Sequence, residues 1–464
     1  MSSQGADPHT IRVSGRHTTK TQSLGSVRTR QERIAHIANK YADAPLTTLG
    51  HYMDAVWMHT AYQRVNKTKS TGMDHVTAEA YAADLAANLD GLLHRAKDGS
   101  YRATPVKRVE IPKNETEMRT IGIPTFERKV LERAVQMILE PIYEQIFRDS
   151  SYGFRPKRST HQALEVLRDA IKEVNGGWVL DVDIRNYFDS IPHALLREII
   201  GYRVKDSVIT RLINKWLKAG VWTGEKIEIS DTGTPQGGVI SPMLSNIYLH
   251  TVLDEWMEDE IAPRLKGKMK LVRFADDFVI VLERKDDALR VQEVLPKRLG
   301  KYGLEIHPEK TRLVDFRHPW RTGSNPGTFD FLGFTHYWGK TRKGGYAVQK
   351  KTSSKKMRKA LKTVHTWCKK HRHKDLSWQH GKLCDKLRGH NVYYGVTGNS
   401  ESLAAFRHHV MRIWRYWLCR RSRKRDGMPW ERFREITKQE YRLPPPRIYH
   451  KWNTNRTKQL CLGF

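Results

Sequence analysis

The chain contains 464 residues, 39% of them hydrophobic, which is enough for roughly two to four domains with a packed core. Lys and Arg outnumber Asp and Glu by 82 to 50, and the net charge of +32 favours a polyanionic partner, with nucleic acid ahead of a membrane surface. No apolar run reaches the roughly 18 residues of a membrane span, and the first residues lack the apolar segment of a signal peptide, so we expect no membrane partner and a cytosolic location.

The N-terminal part of the chain changes from polar to helical character. Residues 1–45 are rich in Ser, Thr, Gly, Arg and Gln, and we predict a flexible basic arm in which a helix begins near Arg33. Apolar residues then recur at helical spacing over 46–64. The basic loop 67–72 follows, and its composition fits either contact with a nucleic-acid backbone or a solvated turn.

The segment 101–123 alternates like two strands joined by the polar turn 113–117. Lys113 and Arg119 lie on either side of this turn, where paired cationic donors suit the oxygens of a triphosphate. Because exposed basic residues on a hairpin are commonly just solvated, this pattern alone leaves both interpretations open.

Two helices are predicted next, an amphipathic one over 126–147 and a second one that Ser159 caps and that runs to Val174. Arg155 and Arg158 precede the second helix. They suit contact with a template backbone and a structural role equally well.

Acidic residues occur in two segments that otherwise have the character of buried strands. Residues 178–187 alternate around Asp181 and Asp183, and residues 271–283 form a predicted hairpin with Asp276 and Asp277 at its tip. Asp is a favoured turn residue, so the hairpin alone could be ordinary. Buried strands seldom carry acids unless another charge compensates them, and carboxylates from two strands suit a pair of divalent metal ions.

Between these acidic segments lies the Gly-rich loop 233–242, which leads into a predicted helix over 243–253. Glycines allow close approach to the backbone, and Gln236 could donate to a nucleotide or a template base. After residue 340 the chain becomes strongly basic, with helices predicted over 354–370, 378–394 and 402–420. Aromatic residues are interleaved with the bases, and we assign most of them to a helical core and the rest to base stacking.

The order of these motifs resembles the palm of reverse transcriptases, and in particular that of bacterial group II intron-encoded proteins. The motifs are DIRNYFDSI, TPQGGVISPMLSN, FADD, GLEIHPEKT and FDFLGF, preceded by finger-like segments IPKNETEMRTIGIPTFERKVLERAV and SSYGFRPKRSTHQAL. The resemblance implies an α+β right-hand polymerase fold with fingers, an antiparallel palm sheet and a helical thumb. The implied domains are an N-terminal extension and fingers (46–125), a fingers and palm core (126–340), a thumb or maturase domain (341–425) and a short basic DNA-binding segment (426–464).

The resemblance also implies a role for each motif residue. Two Mg²⁺ ions would be held by Asp183, Ile184, Asp276 and Asp277, with Asp181 as a neighbour. Phe188 matches the bulky residue that blocks a ribose 2′-hydroxyl, and Lys310 matches a candidate proton donor to pyrophosphate. The remaining substrate contacts would come from Lys113 and Arg119 on the triphosphate, and from Gln236 and Gly237 on the incoming nucleotide and template. Phe274 departs from the family pattern, which usually has Tyr there.

The implied function is an RNA-directed DNA polymerase that copies an RNA template from a DNA primer with deoxynucleoside triphosphates. In the family, the same protein binds its group II intron RNA, promotes splicing and carries the intron into target DNA. Two alternatives are a free-standing reverse transcriptase in DNA repair or phage defence, and a non-enzymatic RNA-binding splicing factor. An RNA-dependent RNA polymerase conflicts with Phe188. No endonuclease-like Cys and His spacing follows the basic segment, so we expect target DNA to be nicked by other means.

Overall fold

The computed structural model describes residues 15–68, 70–112, 118–322, 326–341, 344–421 and 428–452. The helices are α1 (Gly15–Lys40), α2 (Ala55–Arg64), α3 (Ala78–Ala82), α4 (Leu85–Asp98), α5 (Phe126–Tyr143), α6 (Thr160–Glu173), α7 (Tyr187–Ser190), α8 (His193–Gly201), α9 (Ser207–Lys218), α10 (Ser241–Leu249), α11 (Lys285–Lys301), α12 (Pro319–Thr322), α13 (Ser354–His371), α14 (Leu376–Tyr394), α15 (Ser400–Leu418) and α16 (Trp430–Gln439). Short 3₁₀ helices lie at Gly50–Tyr52 and Ala262–Arg264, and α10 continues with π-helical geometry over His250–Ile261.

The strands of the described residues form three sheets. The strands are β1 (Val106–Pro112), β2 (Met118–Ile123), β3 (Trp178–Asp183), β4 (Val221–Trp222), β5 (Ile227–Glu228), β6 (Met269–Phe274), β7 (Asp277–Leu282), β8 (Arg312–Asp315), β9 (Phe329–Phe331), β10 (Phe334–Lys340) and β11 (Tyr346–Thr352). Their orders are β2-β1-β4-β5, β6-β7-β3-β8 and β11-β10-β9, with antiparallel pairs predominating and a parallel pair between β1 and β4. The predicted α+β class with antiparallel sheets is therefore confirmed.

The chain divides into two compact units, each made of several segments. The first unit takes the chain up to Arg158 together with Asp183–Arg264 and Glu293–His307. Its centre is α5, where Val130, Leu131, Ala134 and Ile138 are fully buried. The predicted helix over 126–147 is thus confirmed, although it ends at Tyr143.

Helix α1 corrects the predicted helix start near Arg33 within the flexible basic arm. It begins at Gly15, and Val27, Ile34 and Ala38 are buried along one face of it, which packs against α2 and α5. Gln31 also donates to the Met137 carbonyl oxygen at 2.9 Å. Three widely spaced apolar residues give a weak periodic pattern, and the stability of such a helix comes from packing rather than from its own sequence.

The second unit takes Ser159–Val182, Leu265–Gln292 and the chain from Pro308 onward. Helix α6 packs against β6 and β7, and residues 278–282 of β7 have no exposed surface. Ser159 caps α6 through the Gln162 N–H, as predicted. A continuous run of buried β-branched residues is typical of a strand that is covered on both faces.

The three helices predicted after residue 354 are confirmed as α13, α14 and α15, and Trp414 lies at the centre of their core with no exposed surface. Two predicted domain boundaries fit less well. The boundary at 340 falls inside the β10–β11 hairpin. The segment 426–464 contributes α16, with Phe433 buried, and Leu443 to the same core. Residues 453–464 lie outside the described part of the chain. None of the described helices is both long enough and apolar enough to cross a membrane.

Candidate active site

The hairpin of β6 and β7 carries two acids at its tip, as predicted. Phe274 pairs with Asp277, so Ala275 and Asp276 form a two-residue loop. Ala275 has a φ of 59°, in the left-handed region that costs an L-residue roughly 1–2 kcal/mol. Arg273, which is fully buried, donates to the Ala275 carbonyl oxygen at 2.9 Å. The sequence analysis missed Arg273, although a charge inside an apolar strand was a visible signal.

Strand β3 lies beside β7 in the same sheet. A side chain at Gly177, directly before β3, would overlap the carbonyl oxygen of Leu282, the last residue of β7. The start of β3 therefore lies beside the end of β7, and the two strands run antiparallel. Asp183 is the last residue of β3, and Asp277 is the first residue of β7. The acid-bearing strand ends thus fall on one edge of the sheet.

The predicted strand 178–187 ends earlier in the structure, at Asp183. Asn186 has a φ of 45°, which turns the chain into α7, with Phe188 on this short helix. Asn tolerates this left-handed conformation better than most residues. The alternating pattern that predicted a longer strand therefore continues into a helical turn.

Asp181 has its own cationic partner. Its carboxylate accepts a hydrogen bond from Arg312 at 3.3 Å, across the antiparallel pair of β3 and β8. Arg312 thus compensates part of the negative charge at this end of β3.

Backbone hydrogen bonds to the segment 305–307 orient the main chain at Ile184. Ile184 forms an isolated antiparallel bridge with Ile306. The flanking hydrogen bonds are Arg185 N to Glu305 O and His307 N to Asp183 O, both at 2.8 Å. In such a pair the central residue points its own N–H and C=O away from the partner segment. The Ile184 carbonyl oxygen is therefore available for contacts on its other side.

Across the described residues, no group of three or more His, Cys, Asp and Glu side chains is placed to hold a metal ion. Neighbouring carboxylates repel one another, and Mg²⁺ is usually held by one or two carboxylates together with phosphate and water oxygens. These hard oxygen donors fit a Mg²⁺ ion that arrives with a nucleotide.

The Gly-rich loop begins against α7 within the first unit. The Thr234 N–H donates to the Phe188 carbonyl oxygen at 2.7 Å. The buried ring of His193 bonds to the Gly233 carbonyl oxygen at 2.6 Å, so this ring nitrogen must be the donor. Phe188 is half-buried, and its ring meets the buried ring of Tyr187 edge-on at 5.4 Å. The loop start and Phe188 are therefore held together.

The same loop continues onto β2. The Gly122 N–H donates to the Gln236 carbonyl oxygen at 2.7 Å. A Cβ at Gly237 would lie 2.7 Å from both the Gly122 carbonyl oxygen and the Ile121 side chain, so this position requires glycine. Arg119 is exposed and lies two residues before Ile121, on the same face of the strand. The structure thus brings Arg119, Gln236 and Gly237 together.

A buried ion pair anchors the end of this loop. The Glu132 carboxylate accepts from the Val239 N–H at 2.7 Å and from Arg128 Nε at 2.7 Å. Both charged side chains are almost fully buried, and Arg128 also donates to the Thr104 carbonyl oxygen. The sequence predicted an amphipathic helix here but not this ion pair, although an Arg and a Glu one helical turn apart on an apolar helix were a visible signal.

Four further residues from the sequence predictions lie outside these contacts: Lys113, Lys310, Arg155 and Arg158. Lys113 lies outside the described residues. Lys310 is exposed, between the Ile306 bridge and β8. Arg155 is buried and makes two 3.0 Å hydrogen bonds to the Glu144 carboxylate, which supports the structural interpretation over template contact. Arg158 pairs with Asp149 at 2.5 Å.

Comparisons with known proteins agree with this architecture. The family model described as "Reverse transcriptase (RNA-dependent DNA polymerase)" matches residues 111–336. Group II intron-encoded protein LtrA of Lactococcus lactis subsp. cremoris is 32% identical over 355 residues, which cover 62% of this chain and 58% of that protein. Protein YkfC of Escherichia coli K12 is 33% identical over 273 residues, which cover 52% of this chain and 71% of that protein.

A more distant match, nuclear intron maturase 3 of Arabidopsis thaliana, is 30% identical over 156 residues, covering 32% of this chain and 20% of that protein. The acid-tipped hairpin, the adjoining strand and these similarities define the same class. The chain belongs to the reverse transcriptase family, and it is similar to group II intron-encoded proteins.

Proposed function

We propose that the protein is an RNA-directed DNA polymerase of a group II intron, and that it also binds its intron RNA to promote splicing. The observation that carries the polymerase proposal is the placement of Asp276 and Asp277 at a hairpin tip beside the strand that ends at Asp183. In this proposal, residues 46–125 with part of the next segment act as fingers, the β6-β7-β3-β8 sheet is the palm, and the helices from α13 onward are the thumb.

Asp183, Asp276, Asp277 and the Ile184 carbonyl oxygen would hold two Mg²⁺ ions. Such ions activate a primer 3′-hydroxyl and neutralise charge on the departing pyrophosphate. The chain itself would fix the acids through the tight loop at Ala275 and through the Arg273 hydrogen bond beneath it. Lys310, close in sequence to β8, is proposed to donate a proton to pyrophosphate.

The incoming deoxynucleoside triphosphate would lie along the Gly-rich loop. Arg119, and Lys113 in the adjoining turn, would hold its phosphates, because guanidinium and ammonium groups suit phosphate oxygens. Gln236 and Gly237 would contact the nucleotide and the template. Support comes from the packing of this loop onto the strand that carries Arg119.

Phe188→Ala is expected to admit ribonucleotides. The half-buried Phe188 ring meets the Tyr187 ring edge-on, and the Phe188 carbonyl oxygen accepts from the loop at Thr234, so in this proposal the ring would meet a ribose 2′-hydroxyl. One clash of this kind discriminates by about 1–3 kcal/mol, so the preference for deoxynucleotides should fall roughly 10- to 200-fold. The measurement is single-nucleotide primer extension with the two nucleotides in competition. Unchanged discrimination with normal deoxynucleotide incorporation would contradict the assignment.

The maturase proposal rests on the charge of the chain and on its intron-encoded relatives. A surface with this excess of Lys and Arg binds a phosphate backbone with strong salt dependence. The proposed partners are the intron RNA, an RNA template with a DNA primer, and target DNA, and the proposed setting is a ribonucleoprotein in the bacterial cytosol.

Splicing of the surrounding transcript is expected to require the protein but not its polymerase acids. The gene is tested in its native flanking DNA as the intact frame, an early frameshift, and Asp276→Ala combined with Asp277→Ala, with ligated exons detected across the junction. Junctions that are lost with the frameshift and kept in the double variant support a maturase with a separate polymerase activity. Junctions in none of the constructs would favour a free-standing reverse transcriptase.

A further inference from the structure

Residues 442–452, which we call the C-terminal strap, lie along α14 and the turn that follows it. Asn391, which is buried, donates from its side chain to the Pro445 carbonyl oxygen at 3.1 Å. The backbone N–H groups of Tyr449 and His450 both donate to the Gly395 carbonyl oxygen, at 2.8 and 2.9 Å. A Cβ at Gly395 would lie 2.5 Å from the Arg447 carbonyl oxygen, so only glycine, which has no side chain, leaves room for the strap there. Much of this segment therefore binds its own chain.

The last described residue of the strap, Trp452, is held by two cations. Lys350 Nζ lies 2.7 Å from the centre of a Trp452 ring, and the Arg168 guanidinium lies 4.5 Å from it. Lys350 is buried, and its Nζ has no hydrogen-bond partner among the described residues. The indole face is therefore the contact that the structure provides for this ammonium group.

His450 of the strap fixes the last turn of α14 from two sides. Its ring nitrogen donates to the Val392 carbonyl oxygen at 3.0 Å. Its ring also stacks on the ring of His161, with centroids 3.5 Å apart and planes inclined by 16°. His161 in turn donates to the Tyr393 carbonyl oxygen at 2.8 Å. Removal of the His450 ring would thus remove the hydrogen bond to the Val392 carbonyl oxygen and the stacking on the ring of His161, which bonds to Tyr393.

Tyr393 connects this arrangement to the catalytic hairpin. Its hydroxyl donates to the Leu332 carbonyl oxygen at 2.9 Å. Leu332 and Gly333 have φ values of 50° and 82° and form the tight turn between β9 and β10, and β9 packs against β7, which begins at Asp277. Burial raises the pKa of the Tyr393 hydroxyl, and the negative charge of Asp277 raises it further.

We infer that the C-terminal strap positions Tyr393, and through it the Leu332–Gly333 turn and the adjoining strand β9 that packs on β7, so that the strap serves the polymerase site of its own chain. This inference rests on the proposed polymerase function and differs from the role in target DNA binding predicted for the segment. Tyr393 is a positioning residue, because it acts on the acids through the turn and through β9. Primer extension on any template should then depend on His450.

The test is steady-state primer extension of a DNA primer on an RNA template that carries no target-site sequence. The variants are Tyr393→Phe, His450→Ala, their combination, and His450→Phe, which keeps a ring against His161. Matched controls are Tyr202→Phe, whose exposed hydroxyl bonds to Glu198, and His94→Ala on exposed α4. Urea unfolding of each variant checks that the fold is retained.

Tyr393→Phe and His450→Ala are each expected to lower kcat about tenfold and to leave KM for the nucleotide within about twofold. A small displacement of the catalytic residues weakens their contacts in the transition state more than it weakens binding of the nucleotide in the ground state. The kcat of the combined variant should be at most about twofold lower than that of either single variant, since both changes remove the same constraint. His450→Phe should restore most of the rate. The two controls should extend primers at the unchanged protein's rate.

Wild-type kcat in Tyr393→Phe and His450→Ala, with normal extension by the unchanged protein, would overturn the inference alone. A defect of His450→Ala confined to reactions on target DNA would overturn it in favour of a DNA-binding strap. No extension by the unchanged protein would overturn the proposed polymerase function and the inference with it.

Discussion

Replacement of Asp276 and Asp277 by asparagine is expected to lower the rate of primer extension at least about a thousandfold, which corresponds to about 4 kcal/mol of transition-state stabilisation. Asparagine has the size of aspartate but lacks the charge that holds a divalent cation. The free energy of unfolding should stay the same or rise, because two adjacent like charges are removed from one hairpin tip. Extension of a DNA primer on an RNA template in Mg²⁺, followed beside urea unfolding, measures both quantities.

Asp181→Asn is the matched control for this double change. Asp181 lies on the same sheet, and its carboxylate already bonds to Arg312. Because a partly exposed pair of this kind contributes only about 0–1 kcal/mol, the control should fold normally and extend primers within about fivefold of the unchanged protein. Extension by the Asp276 and Asp277 variant within about tenfold of the unchanged rate would be incompatible with the proposed metal site.

The hairpin of β6 and β7 could be predicted because its signals are local. Apolar β-branched runs on both sides of Asp276 and Asp277 define two strands whatever the rest of the chain does. The same holds for α13, α14 and α15, whose predicted ranges lie within a few residues of the observed ones. What the residues alone left open was whether the acids meet another strand, since that depends on sheet order and not on the hairpin.

The contacts that support the site could not be predicted in the same way. Glu132 accepts a hydrogen bond from the Val239 N–H, more than a hundred residues away in the chain, and the Arg and Glu spacing on α5 indicates a pair within the helix but not this contact with the loop. The same limit applies to the strap, for which the family resemblance implied DNA binding, whereas its Leu443 is buried in the helical core. The composition of a segment indicates what it can bind, but only tertiary packing decides whether the segment makes those contacts within its own chain.

Glu132→Gln is expected to cost about 3–5 kcal/mol of unfolding free energy, because it leaves the buried Arg128 without its counter-charge. Glutamine keeps one acceptor oxygen, so the Val239 N–H can still bond, and the loss should come mainly from the unpaired guanidinium. Since this pair anchors the loop that carries Gln236, KM for the nucleotide should rise as well. Urea unfolding and primer extension at several nucleotide concentrations measure the two effects.

Glu127→Gln on the same helix provides the matched control. Glu127 also pairs with an arginine, Arg95 at 2.7 Å, but both side chains are at least one-third exposed. Such a pair contributes roughly 0–1 kcal/mol, so the control should change stability little and KM not at all. Equal, small losses of unfolding free energy in both variants would mean that the backbone carbonyl oxygens around the buried Arg128 are sufficient partners for it. The position of the loop would then be fixed by the close packing at Gly237 instead.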